Sequence, residues 1–212
     1  MESKNYLEDI SEIKTMMSRS SRFISLSGLS GILAGIYALV GAALAYLKLN
    51  AGSYYYDAIP RSGYEKLEPS MIADLLSIAV GVIVLALLTG IVLSMRKAKR
   101  SGEKIWDVTS KRLVLNFFIP LVAGGIFCLV LLQYGIVGLV ASATLIFYGL
   151  ACVNASKYTL GDVRYLGIAN IVLGLIATQF IGYGIFFWAL GFGVLHIVYG
   201  AVMHFKYDRK TV

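Results

Sequence analysis

The sequence predicts an all-α integral membrane protein of six transmembrane helices, arranged as three hairpins with both termini cytoplasmic. Three observations carry that expectation. The composition is 58% hydrophobic with a mean hydropathy of +0.76, more apolar surface than a 212-residue soluble core can hide. The apolar residues fall into runs that reach or approach the roughly 20 residues needed to cross a bilayer. Basic residues are also sorted by side: in the six-span arrangement 16 of the 19 Lys and Arg lie on one face, leaving Lys48, Arg61 and Lys66 on the other, which marks the crowded face as cytoplasmic.

Residues 1–22 are charged and polar, so no signal peptide is expected there and the first span is expected to stay attached. Within residues 3–22, Tyr6, Ile10, Ile13 and Met17 recur at helical spacing, with Glu8, Asp9, Glu12 and Lys14 on other faces. Asn5 and Glu8 fit a capping box. This is an amphipathic helix, read as lying along the membrane interface. The rival reading is a docking surface for a cytoplasmic partner. The first span, 23–47, carries a small-residue stripe of Ser27, Gly31, Gly35, Ala38, Ala42 and Ala45. Small side chains let two helix backbones approach closely, either inside the bundle or across a homo-oligomer face.

The outer loop, 48–70, places Tyr54, Tyr55, Tyr56 and Tyr64 near its apolar boundaries, as headgroup-level anchors. The second span, 71–95, holds Asp74 close to its outer end, where a carboxylate can stay wet. Residues 96–112 then carry seven basic residues against two acidic ones. That loop is the strongest orientation signal in the chain; it could bind anionic lipid headgroups or nucleic acid, but a retention signal accounts for it without either, so nucleic acid is not expected as a partner.

The third span, 113–132, contains Pro120, which has no N–H for the carbonyl of Asn116 and is expected to kink the helix. Asn116 itself or a neighbouring helix is expected to supply the missing donor. Spans follow at 135–154, 163–181 and 185–205, with tight outer turns at 133–135 and 182–184 and a basic tail at 206–212. The last two hairpins resemble each other: Tyr134-Gly135 matches Tyr183-Gly184, Tyr148-Gly149 matches Tyr199-Gly200, and Lys157-Tyr158 matches Lys206-Tyr207. An old hairpin duplication is the expected cause. Cys128 and Cys152 sit at different depths and are expected to be free buried thiols.

Chemistry gathers on the last span. His196 falls near its middle, where lipid offers an imidazole no partner, so it must face the bundle. Tyr148, Tyr37 and Asn170 lie at comparable depth as candidate partners, with Tyr199 close by on the same span. His204, eight residues on, belongs at the cytoplasmic boundary. One helix cannot offer both histidines to opposite faces of a haem, and no His/Cys cluster suggests zinc. Neither a cofactor nor a metal is expected. No GxSxG, HExxH or GxxxxGK[ST] motif is present, and placing Ser142 beside His196 as a hydrolase would be guesswork. Gly191 and Gly200, like Gly31 and Gly35, read as packing glycines.

The opening RSSRFISLSGLSGILAGIYALVGAALAY and the closing WALGFGVLHIVYGAVMHFKYDRK resemble a group of six-span inner-membrane proteins of Bacteroidetes. That resemblance implies a bacterial inner-membrane location and a link to a winged-helix regulator. In pattern alone, the hairpin repeat is similar to HdeD-type acid-resistance membrane proteins. No catalytic residue is carried over from either. The expected function is a non-enzymatic membrane module binding a small apolar or lipid-like ligand or a partner protein. The alternative is a small oligomeric channel or transporter using the Pro120 kink and His196, with Asn116, Asn170, Tyr148 and Tyr199 along its path.

Overall fold

The structure, a computed structural model, describes residues 26–51, 68–100, 102 and 106–208. The amphipathic segment at 3–22 and most of the outer loop lie outside the described residues. All the regular elements described are helical: α1 (Gly28–Ala51), α2 (Pro69–Arg100), α3 (Val108–Gln133), α4 (Val140–Ala155), α5 (Val163–Ala177) and α6 (Gly184–Asp208). Five apolar stretches are long enough to cross a membrane, and α5 is a shorter apolar helix. The chain therefore has the build of a multi-pass helical membrane protein.

Helix ends differ from the sequence expectation in ways that local chemistry explains. Asp107 caps α3 by accepting from Ser110 N at 2.7 Å, which starts the helix five residues before the expected 113. At the other end Gly135 takes φ +73°, with Ile136 N–H on Leu131 O and Gly135 N–H on Leu132 O. This is a Schellman ending, and it needs a left-handed residue. The matched pair Tyr183-Gly184 behaves otherwise: Tyr183 precedes the first residue of α6, and the positive φ of that turn sits at Gly182. The two hairpins thus agree in sequence at this point and differ in backbone. Helix α5 stops at Ala177 rather than continuing to 181, with turns over 178–182. At 15 residues it spans only about 22 Å.

Packing follows the small residues. Helix α1 lies between α2 and α6, while α4 lies between α3 and α5 and also touches the start of α6. A Cβ on Gly31 would stand 3.1 Å from Gly200 Cα, and one on Gly35 would stand 2.6 Å from Gly193 O. The GxxxG face of the first span is therefore used inside the bundle, against α6. Gly149 and Gly167 make the equivalent close approach between α4 and α5, each within 2.6 Å of the other's carbonyl if given a Cβ. By contrast α2 buries only Ala98 and packs chiefly on α1, with Lys97 reaching Asp208 of α6, and α2 and α3 share no substantial packing. The bundle is open on that side.

Candidate functional site

Helix α6 is not a uniform α-helix. Residues Ala189–Val194 form a π-helical segment, and Leu195 N–H bonds to Leu190 O, one residue further back than an α-helix would take it. The carbonyl that Leu195 would otherwise have used, Gly191 O, instead meets His196 Nδ1 at 3.0 Å. A carbonyl only accepts, so Nδ1 carries the proton. In the neutral ring Nε2 is then the acceptor, and Tyr148 Oη–H donates to it at 2.6 Å. His196 is 8% exposed. Around the pair stand Phe192, Phe117 and Trp188: Phe192 lies 5.0 Å from the Tyr148 ring and 5.0 Å from Trp188, and Phe117 lies 6.1 Å from Tyr148. Both ring nitrogens are occupied, so the imidazole has neither a free lone pair for a metal nor an open base.

Of the partners the sequence offers for His196, the structure selects Tyr148. Tyr37 sits elsewhere, 3.3 Å from Thr89 Oγ1 on α2. Asn170 is fully buried; its Nδ2 donates to Leu166 O at 3.0 Å, and its Oδ1 faces the Gly191 backbone, 2.8 Å from where a Cβ would be. No partner meets Asn170 Oδ1, Ser142 Oγ or Tyr199 Oη among the described residues. Ser142 is buried on α4 and forms no hydrogen bond with His196.

Asn116 and Pro120 come together through a residue the sequence reading did not single out. Asn154 on α4 donates Nδ2 to Asn116 O at 2.8 Å, supplying the bond that Pro120 cannot make. Asn116 Nδ2 turns back to Arg112 O at 2.8 Å. Helix α3 runs unbroken through Pro120. The signal lay in the sequence: an amide at the end of the next span, at the depth the hairpin returns to.

Charged groups pair at the ends of the bundle. Asp208 accepts from Lys97 Nζ at 2.6 Å, from Gly28 N at 3.0 Å and from His204 Nδ1 at 3.1 Å, joining α1, α2 and α6; Lys97 also reaches Leu26 O at 2.9 Å. His204 thus lies at the end of the bundle, away from His196. Asp162, in the α4–α5 turn, accepts from Lys206 Nζ at 2.7 Å and Tyr207 Oη at 2.9 Å. The Lys206 hydrogen bond holds the Asp162 carboxyl below its ordinary value, against the opposing effect of burial. At the opposite end Lys48 pairs with Asp74 at 2.9 Å, both half exposed. Cys128 and Cys152 are both free and buried. Among the described residues no three His, Cys, Asp or Glu side chains converge.

Protein-family models, curated proteins and solved structures offer no match to this chain. Its chemistry is read from its own geometry.

Proposed function

We propose that the protein is a non-enzymatic inner-membrane module that binds a lipid-like molecule from the side of its bundle. The open flank between α2 and α3 carries this reading: two long apolar helices consecutive in sequence share no substantial packing, and the most apolar stretch of α2 is unburied. No Asp, Glu, Lys or Arg occurs in residues 23–47, 75–95, 113–156 or 165–205, so an apolar ligand entering there meets no ionised group. The proposed orientation puts both termini and residues 96–112 in the cytoplasm of a bacterial cell. A cysteine placed at Lys99 then reacts only with reagents that reach the cytoplasm; labelling from the periplasm would reverse it. A cytoplasmic protein partner at residues 3–22 is the proposed output, and cytoplasmic crosslinks unchanged on deleting residues 1–20 would remove it.

Native mass spectrometry of the protein, extracted gently from its own host membrane, tests the ligand. A discrete added mass in the lipid range is expected, and a bare mass from such a preparation overturns the reading. A channel or transporter draws less support, because Asn154 closes the carbonyl that Pro120 opens, and Tyr148 with Gly191 occupies both nitrogens of His196. Flux through reconstituted protein that His196→Ala abolished would restore it.

A further inference from the structure

The end of the bundle that carries residues 96–112 holds an excess of charge that the fold itself does not use. Its carboxylates, among the described residues, are Asp107, Asp162 and Asp208, and each is already engaged. Asp107 caps α3 through Ser110, Asp162 holds Lys206, and Asp208 holds Lys97. Only two of the cations at this end are thereby neutralised. Arg96, Lys99 and Arg100 at the end of α2, Lys111 and Arg112 at the start of α3, and Lys157 and Arg164 at the α4–α5 turn are all exposed, and no described carboxylate lies within ion-pair distance of them.

Their placement says what kind of anion they face. Helix α2 is 32 residues long, about 48 Å at 1.5 Å per residue against a hydrocarbon core of about 30 Å, so its last turns stand in the headgroup layer. The same end of the bundle carries two exposed amphipathic rings, Trp106 just before α3 and Tyr165 beside Arg164, each more than half exposed. Rings of this kind settle at the membrane–water boundary. Cations lifted to headgroup level and flanked by interfacial rings match a layer of phosphates, whereas a soluble acidic protein would have to dock through the rings' own lipid contacts. Five of the seven cations also border the unpacked flank between α2 and α3, where a whole phospholipid can lodge its chains.

We propose that the α2–α3 end of the bundle is a binding site for anionic phospholipid, with Arg96, Lys99, Arg100, Lys111 and Arg112 holding the headgroup phosphate. The proposal needs the membrane-spanning architecture but not the host-derived ligand of the preceding section, which can be neutral and seated deeper.

The test uses the full-length protein in a nonionic detergent, titrated separately with phosphatidylglycerol and phosphatidylcholine of the same chains and read by native mass spectrometry. Phosphatidylglycerol should bind at least about tenfold more tightly, since each cation near a membrane surface is worth roughly a fivefold change in affinity. The preference should shrink between low and high salt. Replacing the five cations by Gln should erase it, while Lys157→Gln with Arg164→Gln should leave most of it. Equal binding of the two lipids by the unaltered protein overturns the proposal, as does a preference that survives the five substitutions. If the five-residue variant does not fold, the headgroup and salt dependence of the unaltered protein decides alone. Displacement of phosphatidylglycerol by a short polyglutamate at equal charge would assign the face to an acidic protein instead. Equal binding of the two added lipids, alongside a host-derived neutral lipid retained by the unaltered and five-residue variants alike, would keep the ligand reading and sink this one.

Discussion

His196 is held between a donor and an acceptor that fix its tautomer, and each comes from a different structural cause. Gly191 O is available because the π segment skips it, and Tyr148 is available because α4 presents it at the same depth. That a mid-span histidine must face protein was legible, since lipid leaves a polar ring no alternative. Which of Tyr37, Tyr148 and Asn170 would meet it was not, because the choice depends on how each helix is rotated about its axis. The pair should couple energetically: a double-mutant cycle of Tyr148→Phe and His196→Leu is expected to give about 0.6–1.7 kcal/mol, the range for hydrogen bonds between membrane helices. Unfolding in mixed micelles measures it, and additive single changes would mean that the bond contributes nothing. Gly191→Ala should cost more than either, because the new Cβ would sit 2.3 Å from Leu145 Cδ2 and 2.8 Å from Asn170 Oδ1, and both neighbours are buried. About 1–3 kcal/mol is expected, as for overpacked cores, and stability equal to the parent would show that this helix contact is loose.

At the scale of the element, hydropathy located the apolar helices and missed their irregularities. Apolar runs are a property of composition, and they emerge in the structure within a few residues; caps and π segments depend on single side chains and carbonyls. The sequence also contained both halves of the Pro120 repair without indicating that they meet. That repair makes the worth of one amide depend on the residue across the hairpin. With Pro120 in place, Asn116 O depends on Asn154 Nδ2 at 2.8 Å. In the Pro120→Ala variant a backbone N–H becomes available to the same carbonyl, which makes the amide redundant. Asn154→Leu should therefore destabilise the natural protein by about 1 kcal/mol and the Pro120→Ala variant by clearly less. Equal costs in the two backgrounds would show that Asn154 acts through packing rather than through the carbonyl that proline leaves open. The close glycine pairs follow the same logic: small residues at helical spacing were visible, but only the fold reveals that Gly31 and Gly35 meet Gly200 and Gly193 within one chain.

Over the whole molecule, charge lies at the two ends and hydrogen bonds between neutral groups lie in between. The excess of cations on one face was legible, whereas the consumption of Lys97 by Asp208 and of Lys206 by Asp162 was not, because those pairs join segments far apart in sequence. The Asp162 pair makes stability depend on pH in a definite direction. In the folded protein the hydrogen bond from Lys206 is the largest influence on the Asp162 carboxyl; burial opposes it, and the Tyr207 hydroxyl adds to it, leaving the carboxyl below its ordinary value of 3.8. A carboxylate whose pKa is lower folded than unfolded binds fewer protons when folded, so its contribution is complete above the unfolded value and is lost as the pH falls through the folded one. Lys206 is half exposed, so solvent screens the pair and keeps its contribution small. Asp162→Asn should thus be less stable than the parent at pH 7, and the gap should close as the pH drops below the ordinary carboxylate range. Chemical or detergent unfolding of both proteins across that range reads the difference directly. A gap that stayed constant into strong acid would place the cost of the substitution in the α4–α5 turn rather than in the charge that ties the turn to the end of α6.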